Sequence, residues 1–226
     1  MSIILDYIKI IHEFFFRSKI FIERDSYSFE SEDLVITKYF QNTQNGFYVD
    51  IGSFNPVRGS NTYLLHKKGW SGINVDADLN SIRMFKILRP KDYNFNYAIS
   101  SSNEKEVELF YEKTSSAVKT IDIKFRNLIL NNYKTKKVKT SNFENIINKT
   151  KFSDRQIDFL NIDCEGSDFD VLSLIDLKKY KPKMICVEIN SYTFKNIEDS
   201  NIYKLLLKNN YILFKSFINS QIFVKK

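Results

Sequence analysis

Phe47-Tyr48-Val49-Asp50-Ile51-Gly52 is an apolar run that halts at an acid and a glycine, and the fold is read from it. A second run, Gly72-Ile73-Asn74-Val75-Asp76, halts at an acid again. Short continuous apolar runs bounded by turn residues read as buried strands. Between them, residues 61–69 have helical spacing and end on a glycine stop. Two buried strands, each delivering a carboxylate at its C-terminal end, describe the crevice of an open α/β sheet, where ligands bind. A glycine there lets the backbone approach a ligand, and the acid after the second strand can accept hydrogen bonds from ribose hydroxyls.

Working outward, the alternation continues to the C-terminus without an internal repeat or low-complexity tract. Residues 79–88 read as a helix stopped by Pro90, residues 93–100 as a strand, and residues 107–112 as an alternating strand. A short helix is expected over 143–149. Residues 157–162 form an apolar strand that ends in Asp163-Cys164-Glu165-Gly166. An amphipathic helix over 169–180 is closed by Pro182. A further buried strand over 184–189 carries Glu188 and leads to Asn190; a helix over 202–208 and a hairpin of 211–217 with 221–224 complete the chain. Strands buried on both faces and alternating with helices imply a mostly parallel sheet with helices on both sides. Residues 1–40 read as a helical extension packed on a domain formed by residues 41–226.

The chain has 226 residues, 43% of them hydrophobic and 27% charged, which suits one globular domain. Residues 3–16 are apolar but interrupted by Asp6, Lys9, His12 and Glu13, so neither a signal peptide nor a membrane span is expected, and a cytoplasmic location follows. An amphipathic helix on the domain surface is the plain reading, with membrane-surface or partner contact as the alternative. Cys164 and Cys186 have no C-x-x-C spacing and read as buried thiols. The net charge of +7 has its densest patch in Lys134-Thr135-Lys136-Lys137-Val138-Lys139, a solvated loop or strand edge that could attract phosphates.

The loop after the first strand, Gly52-Ser53-Phe54-Asn55-Pro56-Val57-Arg58-Gly59-Ser60-Asn61, lacks G-x-G-x-x-G. A dinucleotide's diphosphate normally rests on those glycines at a helix N-terminus. Their absence counts against NAD or FAD and suits a cofactor without phosphate, such as S-adenosylmethionine. Ser60, Asn61 and Thr62 serve either a ligand or the cap of the helix that follows. Asp76 follows Gly52 at close to the roughly 20 residues expected of a ribose acid, and Asp78 is placed to cap the next helix. Asp163, Glu165, Glu188 and Asn190 end two further strands, where one of the acids Asp163, Glu165 and Glu188 could act on an acceptor as general base. Asp163, Glu188 and Asn190 could instead hold an oxygen-liking cation such as Mg²⁺; the structural alternatives are that Asp163 or Asp168 caps a helix and Glu188 meets a lysine. His66 and His12 read as ordinary surface or half-buried histidines, and Trp70 as packing where helix turns into strand.

Taken in order, residues 47–52, 58–62, 67–76, 158–166 and 182–188 resemble the FkbM family of S-adenosylmethionine-dependent methyltransferases over roughly residues 28–190. That resemblance implies a class I methyltransferase, Rossmann-like fold: a seven-stranded, mostly parallel sheet with a C-terminal antiparallel hairpin. It implies methyl transfer to oxygen, often on sugars or polyketide-type products. It also implies that Asp50 and Gly52 flank the methionine moiety, that residues 96–98 lie near the adenine with Ala98 offering backbone contacts, and that Asp163 adjoins the cofactor. Asp76 stands where the family usually has glutamate. The acceptor expected is a sugar hydroxyl of a bacterial surface polysaccharide, capsule or lipopolysaccharide, on a monomer or homodimer. No stable nucleic acid partner is expected; RNA ribose methylation and a non-catalytic cofactor-binding role are the competing readings.

Overall fold

The computed structural model describes residues 2–100, 105–114, 116–189 and 196–226. The chain enters through α1 (Ser2–His12), continued by a π-helical turn over Glu13–Ser18, and then α2 (Glu32–Tyr39). There follow β1 (Phe47–Ile51), α3 (Tyr63–Lys67), β2 (Ser71–Asp76), α4 (Leu79–Leu88) and β3 (Tyr93–Asn96). A second group comprises β4 (Ala98–Ile99), β5 (Glu106–Tyr111), β6 (Lys119–Thr120), α5 (Ile123–Ile129) and β7 (Lys134–Ser141). The chain closes with α6 (Phe143–Ile147), β8 (Phe159–Ile162), α7 (Asp168–Ser173), α8 (Leu177–Tyr180), β9 (Met184–Glu188), α9 (Asn201–Lys208), β10 (Tyr211–Ser216) and β11 (Ser220–Lys225). No helix among the described residues is long and apolar enough to cross a membrane.

The main sheet has seven strands in the order β10-β11-β9-β8-β1-β2-β3. β1 pairs in parallel with β2 and β8, while β11 runs antiparallel to both β9 and β10. The central strands are buried on both faces, which is why they read as unbroken apolar runs. On one face Tyr48, Phe159, Met184 and Ile222 pack with Ile36, Phe40, Leu65 and Trp70. On the other, Phe47, Val49, Leu160 and Ile185 pack with Phe143, Ile146, Leu172 and Leu206. One row across the sheet is polar: Asn94, Asn74, Asp50, Asn161 and Cys186 stand opposite one another on successive strands.

Two of the expected elements are each split in the structure. The strand expected over 93–100 is two strands in different sheets, because the Asn96 amide donates to the carbonyls of both Asp76 and Ala77 at 2.9 Å. The chain then leaves the main sheet for a second one, of order β4-β7-β5-β6. Of the two readings of the lysine run, loop or strand edge, the structure has a strand, β7 of that second sheet. Cross-strand pairing sets Glu106 opposite Lys139 and Glu108 opposite Lys137, and opposite charges facing each other favour the ladder. On the inner side Val138, Leu109 and Ala98 form a small apolar core. Finally, the helix expected over 169–180 is two, α7 and α8. The Ser173 hydroxyl bonds back to the Phe169 carbonyl, and Asp176 caps α8 through the Lys178 and Lys179 amides.

Trp70 is 3% exposed and lies edge-on to Phe40 where α3 turns into β2, over Gly46, whose missing side chain makes room for the indole. His66 is half-buried with no hydrogen bond at Nδ1; burial, then the Arg89 charge, lower its pKa despite Asp92 nearby. Cys164 and Cys186 are free thiols, Cys186 buried and Cys164 partly so.

Candidate active site

At the C-terminal ends of β1, β2 and β8 the chain forms a cleft lined by Asp50, Gly52, Ser60, Asn61, Asp76, Ala98, Asp163 and Glu165. Phe29 and Phe54 also line it, as do Leu109 and Lys119 of the second sheet and Ala117 and Ile121, which flank β6. Two of its loops hold a non-glycine residue in the left-handed region, Phe54 at φ 51° and Glu165 at φ 51°. Strained backbone of this kind collects where ligands are held.

The floor of the cleft rests on a buried cation that the sequence reading passed over. Arg89, fully buried, sends Nη2 to the Pro56 carbonyl and the Ser60 hydroxyl, and Nη1 to the hydroxyls of Thr62 and Tyr48. Thr62 in turn donates to Asp50 at 2.7 Å, and Asn161 donates to the other Asp50 oxygen at 2.9 Å. The Asn161 oxygen accepts from Asn61 at 3.0 Å. Burial raises the Asp50 pKa, opposed by the Thr62 hydrogen bond and the Arg89 charge. The hydroxyls of Ser60 and Thr62 are thus engaged with Arg89 rather than in a cap of α3; Thr62 is wholly buried, while Ser60 still lines the cleft. The only sequence signal for Arg89 is an arginine directly ahead of Pro90 at a helix end, which reads as an ordinary C-terminal cation.

Gly52 sits at φ 76°, and a Cβ there would lie 1.7 Å from the Asp163 carbonyl oxygen. The glycine is needed first so that the ends of β1 and β8 can touch. Asp76 is half-buried; one oxygen accepts the Phe54 amide at 2.7 Å and the other the Asp78 amide at 2.6 Å. Each carboxylate oxygen retains a second lone pair. Burial, with Asp78 adding to it, pushes the Asp76 pKa up to about 6. Asp78 caps α4 as expected, accepting from the Asn80 amide, and also pairs with Lys119 and with Lys136 at 2.6 Å. Burial pushes the Asp78 carboxyl up, but the two lysines outweigh it and leave it below its usual value. The pair of lysines fastens the second sheet over the cleft.

At the end of β8, Asp163 is raised well above the usual carboxylate range by burial and by Glu165, Asp168 and Asp50. Glu165 is pushed up to about 7, by burial and then Asp168. Asp168 does not cap α7, which has no side-chain cap; it accepts the Cys164 amide at 2.7 Å and the Gly166 amide at 3.1 Å and so fixes the turn between β8 and α7. Glu188 meets no lysine among the described residues. Its Oε2 is buried without a partner, and burial with Asp163 pushes its pKa to about 11. Oxygens of Asp163, Asp168 and Glu188 lie within 4.8 Å of one another. Asp168 joins the expected Asp163 and Glu188 in this cluster; Asn190, the third member expected, lies outside the described residues.

Over residues 50–213, more than half of the chain, the sequence matches the family described as Methyltransferase FkbM domain, and the chain belongs to that family. It is accordingly a methyltransferase. No curated protein compared with the chain matches it.

Proposed function

We propose that the chain is an S-adenosylmethionine-dependent O-methyltransferase of class I fold, acting on a sugar hydroxyl in bacterial surface polysaccharide biosynthesis. The observation that carries the reading is the convergence of Asp50, Asp76 and Asp163, at the ends of three adjacent parallel strands, on one cleft without a glycine-rich phosphate cradle. Cofactor fit is supported by charge: Asp163 and Glu165 line the cleft with no basic partner among the described residues, which suits a ligand carrying a sulfonium and an ammonium group.

In this reading Asp76 holds the ribose hydroxyls on its remaining lone pairs. Tyr97 and Ala98 enclose the adenine, and Asp50, with Gly52, Asn61 and Asn161, frames the methionine end. The bound cofactor supplies an activated methyl group. The protein's part is to orient the acceptor hydroxyl and take its proton. Glu165, with a pKa near neutrality, is matched to accepting it. Asp163 faces the same cleft, and Glu188 behind it is held protonated. Titration of purified protein with S-adenosylhomocysteine by calorimetry tests the cofactor half, and a wild type that fails to bind sinks the reading. Binding without turnover on any glycan acceptor favours a non-catalytic role, and a salt-sensitive gel shift with RNA favours ribose methylation.

The carboxylates of Asp163, Asp168 and Glu188 support a subordinate reading in which they hold Mg²⁺. Activity unaffected by EDTA removes the metal and leaves shared protons to keep the three acids together.

A further inference from the structure

Residues 4–22 present an apolar face that nothing among the described residues covers. Ile4, Ile8, Ile11 and Phe15 recur at helical spacing and form one stripe, each more than half exposed. Phe16 and Phe21 extend it at 68% and 67% exposure, with the Phe15 and Phe21 rings 6.1 Å apart. A contiguous apolar surface of this kind marks an interaction site.

The helix is not free to roll this face inward. Its opposite side is committed to the domain: Ile10 and Phe14 are buried against Met84. Asp6 pairs with Arg83 at 2.8 Å. Glu13 accepts from Asn55 at 3.2 Å and pairs with Arg58 at 3.1 Å. Both acids in this stretch are therefore neutralised by arginines of the domain. Lys9, Arg17 and Lys19 are exposed; Lys9 also reaches Asp6 at 3.7 Å and Arg17 reaches Glu13 at 3.2 Å, so each acid is shared with an arginine of the domain and the stretch keeps a cationic excess.

We propose that α1 and the turn after it dock on an anionic membrane surface, the stripe entering the headgroup boundary and the three cations meeting lipid phosphates. An exposed apolar stripe rimmed by Lys and Arg is the pattern of a helix lying in the interface plane. Juxtaposed cations add electrostatic attraction to an acidic leaflet, and the net charge of +7 acts in the same direction. Pairing of two copies through this face would instead bring the same cations of both chains to one seam, whereas a bilayer supplies the opposite charge. The docking does not depend on the cofactor reading.

The experiment is vesicle flotation of the full chain with phosphatidylcholine alone and with phosphatidylcholine mixed with phosphatidylglycerol, at low and high salt. Binding is expected to the mixed vesicles only, weakening as salt rises. The Ile8→Ser/Ile11→Ser variant should bind those vesicles about a hundredfold more weakly with an unchanged melting temperature, since both side chains are exposed. Three results would overturn the proposal: no binding to either vesicle; equal binding to both; or a concentration-dependent dimer, lost in the double variant, with no vesicle binding.

Discussion

Arg89 and Asp50 are joined through a single hydroxyl: Thr62 accepts from the guanidinium at 2.8 Å and donates to the carboxylate at 2.7 Å. The relay ties the loop after β1 to the strand it leaves. It also gives the buried carboxylate a cation without direct contact.

Replacing Arg89 by Met should destabilise the protein by about 3–5 kcal/mol, since it strips the compensation from a buried network. Lysine should rescue only part of this, because a single ammonium cannot fork to four acceptors. Denaturant unfolding reads the stability. Calorimetry with S-adenosylhomocysteine on whatever remains folded should show weaker binding as the loop over residues 56–62 loosens.

Asp76 should make both stability and cofactor affinity depend on pH. Its folded pKa of about 6 lies above the ordinary value, so the folded state holds the proton more tightly than the unfolded chain. The stabilisation is full below about pH 4 and is lost as pH rises through about 6. Relative to Asp76→Asn, the wild type should lose about 2 kcal/mol between pH 4 and 7 in denaturant titrations. Affinity for S-adenosylhomocysteine should run the other way, rising through pH 6 as the carboxylate ionises to accept the ribose hydroxyls, and the variant should lack this rise.

Asp78→Ala should cost about 3–5 kcal/mol, because it leaves Lys119 and Lys136 without their shared anion and α4 without its cap. The second sheet should loosen first. Limited proteolysis is expected to cut within residues 105–141 before the main sheet unfolds.

Gly52→Ala should abolish soluble expression or cofactor binding. The new methyl would stand at 1.7 Å from the Asp163 carbonyl on a left-handed backbone, and neither partner is a side chain that can turn away. Gly69→Ala is the control: it also has a positive φ but nothing within 4 Å, so it should cost about 1 kcal/mol. Expression yield and melting temperature separate the two.

The strand ends were legible because burial on both faces leaves no alternation to confuse the period, and acids at the end of such runs stand out. Asp50, Asp76 and Asp163 therefore reached the same cleft as the reading required. Arg89 was not legible: its partners Tyr48, Pro56, Ser60 and Thr62 lie 27 to 41 residues away, and no local pattern announces them. The second sheet was hidden for a related reason. Lys134–Ser141 has the composition of a solvated loop or strand edge, and what makes it a ladder is β5, with Glu106 and Glu108 facing Lys139 and Lys137. The break between α7 and α8 rested on Ser173 and Asp176, residues equally at home on a helix surface.

The polar row through Asn94, Asn74, Asp50 and Asn161 has a meaning for assembly of the sheet. Parallel strands distant in sequence have many near-equivalent alignments, and Asp50 and Asn161 are 111 residues apart. A slip of two residues between β1 and β8 would leave Asp50 opposite Phe159 or Asp163 instead of an amide. A buried acid that loses one of its hydrogen-bond donors costs about 1–3 kcal/mol. The row works as a registration mark: a misaligned sheet leaves the acid short of a donor, so the residue that would frame the ligand also decides which strands sit beside it.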